Sequence, residues 1–205
     1  IEETVSRMPE IGIHTELIFV EGRSDDGTWE EILRVKEKYP HLDIKTLQQK
    51  GTGKGDAVRE GFDIASGEIL MILDADLTVS PEELTKFYEE IRSNRGEYIN
   101  GSRLVYSMED AAMRFLNYVG NQFFAMAFSF LLNQQFTDTL CGTKVIGKEN
   151  YHRLKEARDY FGEFDPFGDF DLIFGATKLN LKMIEIPIRY RRRKYGTTQI
   201  SRFRH

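Results

Sequence analysis

The apolar positions of this chain change period several times, and each change marks an element. Leu17-Ile18-Phe19-Val20 and Ile44-Lys45-Thr46-Leu47 are short runs of strand-forming residues, the first read as buried. Ile69-Leu70-Met71-Ile72-Leu73 is unbroken apolar sequence, too short for a membrane span, and predicts a strand packed on both faces. Trp29, Ile32, Leu33 and Val35 recur at helical spacing before Pro40; Ala57, Val58, Gly61, Phe62 and Ala65 do the same over 56–65. Thr4 to Met8 reads as a helix end stopped near Pro9 and Gly12. Ser80-Pro81-Glu82-Glu83 predicts a helix start, with Ser80 as N-cap, proline in the first turn and acids behind it, running to about Ser93. Tyr98-Ile99-Asn100-Gly101 predicts a further strand.

Strand and helix thus alternate through the first hundred residues, which predicts an α/β fold: a mostly parallel central sheet with helices on both faces. The pattern then shifts. Met108 to Asn133 is largely helical, Lys144-Val145-Ile146 is strand-like, Asp169 to Leu179 is a helix, and Met183 to Ile188 is a late strand with a basic tail behind it. We read one domain over 1–205, with a nucleotide-binding half at 1–100 and an acceptor-side half at 101–205.

Composition narrows the function classes. Net charge is −5 across 205 residues, which argues against a general nucleic-acid binder. The single cysteine, Cys141, excludes an internal disulfide framework and a cysteine-rich zinc site. His14, His41, His152 and His205 fall in no metal-ligand spacing. No signal peptide is visible, and the longest apolar stretch, Phe123 to Leu132, is too short to span a bilayer. It reads as a buried helix, with an interfacial helix as the second reading. The expected location is cytoplasmic, with peripheral contact at the membrane face.

The chemistry gathers where strands end. The run 69–73 leads into Asp74-Ala75-Asp76-Leu77, so two carboxylates sit at the carboxyl edge of a strand, where open α/β sheets place their ligands. Such a pair suits a divalent cation, Mg2+ or Mn2+, held against a diphosphate; alternatively it is a polar turn. Glu21 to Thr28 also follows a strand; its bland reading is a turn in which Asp26 or Thr28 caps the next helix. Gly51-Thr52-Gly53-Lys54-Gly55-Asp56 offers backbone N–H groups and a lysine at a helix start, an environment suited to a diphosphate. Its glycine spacing matches neither the mononucleotide phosphate loop nor the dinucleotide fingerprint. The run Arg189 to Lys194 is either a solvated edge or a cluster for diphosphate or anionic headgroups.

The order of these motifs resembles the family 2 glycosyltransferases of the GT-A fold, and most of all their dolichyl-phosphate mannosyltransferase-like, polyprenyl-phosphate branch. Four stretches carry the likeness: Glu21 to Thr28; Lys50-Gly51 through Ala57 and Ser66-Gly67-Glu68 to Asp74-Ala75-Asp76; Gly101-Ser102-Arg103 with Arg114, Asn121 and Asp138 to Lys144; and Glu185-Ile186-Pro187-Ile188 with Arg193 to Thr198. The sequence departs from the family at Gly22, which stands where a second acid is usual, and at Thr78, where some relatives carry a longer polar residue. The family's usual first strand, with its Pro-x-Tyr-Asn-Glu-like turn, precedes the stretch matched here.

The resemblance implies a metal-dependent, inverting transfer of sugar from a nucleotide-diphosphate sugar to a polyprenyl phosphate or, alternatively, to a glycan hydroxyl. By that resemblance Glu21 and Asp26 line the nucleobase pocket, and Lys54 and Asp56 lie along the nucleotide. Asp74 and Asp76 flank the metal, with Asp76 the more direct ligand. Arg103 and Arg114 meet the acceptor phosphate, and Arg193 and Thr197 close over the donor diphosphate. Asp169 aligns with the family's catalytic base, and for a hydroxyl acceptor Asp169 or Asp171 takes the proton. Two other readings compete: a nucleotidyltransferase, which shares the paired acids and glycine-rich loop, and a non-catalytic sugar-nucleotide-binding domain.

Overall fold

The computed structural model of the chain describes residues 1–12, 14–105, 115–157 and 169–193, with the backbone alone at 115–118 and 169. Its elements run α1 (Glu2–Ser6), β1 (Glu16–Glu21), α2 (Thr28–Lys38), β2 (Asp43–Gln48), α3 (Gly53–Ile64) and β3 (Ile69–Met71), then a 3-10 turn (Pro81–Glu83) leading into α4 (Leu84–Arg92). After these come β4 (Tyr98–Ser102), α5 (Phe115–Leu131), β5 (Lys144–Gly147), α6 (Lys148–Glu156), α7 (Asp169–Lys178) and β6 (Met183–Pro187).

The strands form two sheets. β1 and β2 pair in parallel, from Glu16 opposite Asp43 to Glu21 opposite Gln48. The other four strands lie in the order β3-β5-β4-β6. Here β5 runs antiparallel to both neighbours, with Val145 opposite Met71 and Ile99, while β6 runs parallel to β4. The sheet is therefore mixed rather than mostly parallel. The reason is β5: it enters between two strands already laid down and contributes Val145 and Ile146, both fully buried, to opposite faces.

The 69–73 run behaves as its composition requires, although regular pairing covers only three residues. Leu70 and Ile72 pack into a core with Phe62, Tyr98, Ile146, Tyr151 and Ile173. Ile69, Met71 and Leu73 pack from the other face against Phe87, Ile99, Val145 and Ile186. Leu70 and Ile72, the buried members of the run, each contribute roughly 1.5–3 kcal/mol. The Ile72 N–H still bonds the Lys144 carbonyl at 2.9 Å; beyond it the chain leaves the sheet and carries the two acids outward.

Several expectations change. β1 is only half-buried along most of its length, and a smaller core of Val5, Val35 and Ile44 holds α1 and α2 to it. The Ser80 hydroxyl does not cap its helix; it donates to Glu82 and accepts from Arg7. α3 begins at Gly53, whose φ of 84° needs glycine, so Lys54 lies in a first helical turn rather than a free loop. The apolar stretch of α5 is mostly not core: Phe123, Met126 and Phe130 are 66%, 71% and 86% exposed, and among the described side chains of the helix Asn121 and Ala125 are the buried ones. Among the described residues no helix is long and apolar enough to cross a membrane.

Candidate functional site

The acids leave the sheet at the end of β3 and are held by their own loop. Asp76 Oδ1 accepts from Thr78 N at 3.0 Å and Thr78 Oγ1 at 2.7 Å, and Thr78 is itself buried. Leu77, at φ 55°, sits in the left-handed region that turns the loop back. Each acid also meets a cation from elsewhere in the chain. Lys54 Nζ pairs with Asp74 Oδ1 at 2.7 Å, which brings the start of α3 to the acids. Arg193 Nη2 donates to Asp76 Oδ2 at 2.7 Å, and Arg191 N bonds the Thr78 carbonyl at 2.8 Å. The basic segment thus runs alongside the acid loop, although 117 residues separate Arg193 from Asp76.

The second cluster surrounds Arg103, at the end of β4. Its Nε and Nη2 donate to Asp138 at 2.7 and 2.8 Å, and its backbone N–H reaches the same carboxylate at 3.0 Å. Asn121 Nδ2 and Leu140 N bring the donors on Asp138 to five. Asp138 is wholly buried and the Arg103 side chain is 13% exposed. Burial alone would push the Asp138 carboxyl up, but Arg103 outweighs it and holds the group below its usual range. Burial would lower the Arg103 guanidinium, and the Asp138 bonds outweigh that too, raising it above its ordinary value. The fork also sits 5.2 Å from the Tyr190 ring. Its hydrogen bonds among the described residues run through Nε, Nη2 and the backbone N–H.

One short segment joins the two clusters. Asp138 clamps Arg103, and four residues later Gly142 lies against the Lys54–Asp74 pair so closely that a Cβ there would overlap both side chains. Sequence reasoning placed 138–144 in a motif but gave Asp138 no partner. The signal for its partnership is long-range, across 35 residues.

Other candidates lie differently. Glu21 is 3% exposed and spends both carboxylate oxygens on its own turn, accepting from Arg23 N, Ser24 N and Ser24 Oγ at 2.8, 2.7 and 2.6 Å. Burial pushes its pKa up, and these bonds with Gln48 outweigh it and leave the group below its ordinary value. Glu21 therefore shapes the strand-end turn rather than presenting an open acceptor. Asp26 accepts from Thr28 N and Oγ1 at 3.1 and 2.6 Å, the contacts of a helix-start turn. Asp56 folds back to Thr52 N at 2.7 Å and pairs with Arg59, bracing the loop that precedes α3. Asp171 pairs with Arg59 at 3.3 Å. Arg114 and Thr197 lie outside the described residues, as does the side chain of Asp169, which begins α7.

A divalent cation fits this donor set. Asp74 and Asp76 supply hard carboxylate oxygens at a partly open loop, and Thr78 orients one of them. No group of three or more His, Cys, Asp or Glu side chains gathers among the described residues. Further ligands would have to come from a bound diphosphate and water, as is usual for Mg2+.

The model of Glycosyl transferase family 2 matches residues 1–153. The chain belongs to that family. Glycosyltransferase AglJ of Haloferax volcanii is 28% identical to this family 2 chain over 182 residues, covering 88% of it and 55% of the relative. The dolichol-phosphate mannosyltransferase of Pyrococcus furiosus is 36% identical over 107 residues, covering 51% of this chain and 30% of that enzyme. The chain thus spans about half the length of the first relative and less than a third of the second. Among solved structures, glucosyl-3-phosphoglycerate synthase from Mycobacterium tuberculosis, in complex with Mn2+, uridine-diphosphate and glucosyl-3-phosphoglycerate, aligns at TM-score 0.63 and 14% identity, over 97% of this chain and 67% of that one. The fold is GT-A, with the mixed sheet described above.

Proposed function

We propose that this family 2 chain carries the catalytic site of an inverting, metal-dependent glycosyltransferase that moves a sugar from a nucleoside-diphosphate sugar to a polyprenyl phosphate. The observation that carries the reading is the 138–142 segment, which bonds a buried arginine fork at Asp138 and lies against the Lys54–Asp74 pair at Gly142. A cation at Asp74 and Asp76 would supply charge neutralisation at the leaving diphosphate. Lys54 and Arg193, already at the acids, are placed to exchange those carboxylates for diphosphate oxygens. Arg103 would orient the acceptor phosphate, since a guanidinium matches a phosphate in two-point geometry.

A lipid phosphate is an anion before the reaction, so attack on the anomeric carbon needs positioning rather than a base. Asp171, the other carboxylate considered as a base, pairs with Arg59. A lipid acceptor also places the enzyme at a bilayer. Val119, Phe123, Met126 and Phe130 form an exposed apolar stripe on α5, and no charged residue occurs from 115 to 137. The opposite face of the same helix bonds Asp138 through Asn121. The Arg189 to Arg193 segment adjoins Arg103 through Tyr190, and its exposed arginines with the apolar stripe would suit a headgroup layer.

The test is product analysis with farnesyl phosphate as acceptor and GDP- and UDP-sugars as donors, with and without Mn2+. Metal-dependent release of nucleoside diphosphate with formation of a sugar-phosphate lipid is expected. Release of pyrophosphate would identify a nucleotidyltransferase instead. Thermal shift with nucleoside diphosphate and Mn2+ should show stabilisation that needs both and disappears in Asp76→Ala; persistence of the linkage in that variant refutes the metal placement.

A further inference from the structure

The buried Arg103–Asp138 pair depends on a loop, and that loop is held from β6. Glu185 lies on β6 opposite Asn100 of β4, and in paired parallel strands the two side chains share a face. Its neighbours Ile184 and Ile186 point to the core, which leaves the carboxylate on the side of the 137–138 turn. Glu185 Oε2 accepts from Thr137 N at 2.8 Å and Thr137 Oγ1 at 2.7 Å; Oε1 accepts from Asn100 Nδ2 at 3.1 Å and Asp138 N at 3.3 Å. Asn100 Nδ2 also donates to the Asp138 carbonyl at 2.6 Å, and Ser102 Oγ meets Thr137 Oγ1 at the same distance. Two adjacent strands therefore grip the backbone of the residue whose carboxylate aims Arg103.

We propose that Glu185 is a positioning residue: it fixes the 137–138 backbone, and through Asp138 it sets the direction of the Arg103 fork toward the acceptor phosphate. The inference rests on the acceptor role given to Arg103 above. A carboxylate is needed here because all four partners are donors. An amide has one acceptor oxygen, so Glu185→Gln sets an NH2 group against donors in either orientation. The side-chain volume is unchanged, so the effect is read as lost direction rather than a cavity.

Two readouts separate this inference from the reading it rests on. The first is the Arg103 Nε–H signal in protein labelled with 15N-arginine, assigned by its loss in Arg103→Lys. In the parent protein the bond to Asp138 should protect it from solvent exchange; in Glu185→Gln it should exchange at least about tenfold faster. Unchanged protection overturns the brace. The second is farnesyl phosphate affinity in the presence of nucleoside diphosphate and Mn2+. Glu185→Gln should weaken it about tenfold or more, the range for bonds to charged groups, and leave nucleotide affinity within about twofold.

In an Arg103→Lys background the same change should cost nothing further, because the fork it directs is already gone. Penalties that multiply in the double variant overturn the proposal, since they describe general damage. Faster Nε–H exchange with unaltered farnesyl phosphate affinity keeps the brace and refutes the acceptor role of Arg103. Thr137→Val, which removes the hydroxyl from the more exposed partner, should shift both readouts in the same direction by less. It serves where Glu185→Gln does not fold, and a Thr137→Val protein with parental values in both also overturns the brace.

Discussion

Asp138→Asn is the most exacting test of how this site is built. The substitution keeps shape and one acceptor oxygen but removes the charge facing a guanidinium that is itself nearly buried. Five donors converge on Asp138, and the new NH2 group must oppose at least one of them. Breaking a buried ion pair by neutralising one partner costs about 3–5 kcal/mol, because the remaining charge is stranded away from water. For a chain of this size each kcal/mol moves the melting temperature by roughly 2–4 °C, so a fall of about 6–20 °C is expected. Urea unfolding at constant temperature measures the free energy directly.

The pH dependence fixes the sign. Asp138 is held below its ordinary pKa in the folded state, so its stabilisation is complete above the unfolded value and disappears as pH falls through the depressed folded one. Arg103 is raised, so its stabilisation is complete below its unfolded pKa and lost only at higher alkalinity. Between pH 5 and 8, a window set by those two shifts, the penalty should therefore be flat. In acid the parent loses an advantage that the variant does not have, and the two stability curves should converge. Adding Arg103→Met, which removes the stranded charge, should recover about half of the loss. A penalty under about 1 kcal/mol, or no recovery in the double variant, would refute the claim that this pair is a dry, charge-compensated unit.

Three further outcomes follow from the same geometry. Gly142→Ala drives a methyl group into the Lys54–Asp74 pair; thermal shift should show the unliganded melting point nearly unchanged while the stabilisation by nucleoside diphosphate plus Mn2+ is lost. Cys141 is buried and its thiol is pushed up to about 11, first by burial and then by the Asp138 charge, so it should resist a disulfide exchange reagent at pH 8 and react at once in denaturant. Replacing Phe123, Met126 and Phe130 together by serine should abolish sedimentation with anionic phospholipid vesicles and leave nucleotide affinity intact; unaltered sedimentation would show that another surface makes the contact.

What was legible in the sequence was local. The 69–73 run announces both its strand and the place where Asp74 and Asp76 must emerge, because five consecutive apolar residues leave charges nowhere else to go. The helices α2 and α3 follow from apolar spacing and α4 from its Ser-Pro-Glu-Glu start, whereas α6 escaped notice because only Tyr151 and Leu154 mark its buried face in nine mostly polar residues. The antiparallel entry of β5 is invisible to periodicity, since a buried strand reads the same in either direction. Exposure of α5 is equally hidden: a helix apolar on most sides looks like core until its neighbours are known.

The site divides along the same line. Glu21, Asp26 and Asp56 stood at promising places, and each is claimed by donors within four residues, a competition that favours the nearest N–H groups over a distant ligand. The residues with reach are those whose partners lie far along the chain: Lys54 with Asp74, Arg103 with Asp138, Arg193 with Asp76 and Glu185 with Thr137. Short-range satisfaction makes a turn, while long-range pairing costs loop entropy and needs the whole fold to hold it. A carboxylate that accepts its bonds from separate elements therefore reports on the assembled architecture. By that criterion Asp138, bonded by Arg103 from β4 and by Asn121 from α5, is the group that reports most directly on the assembled site.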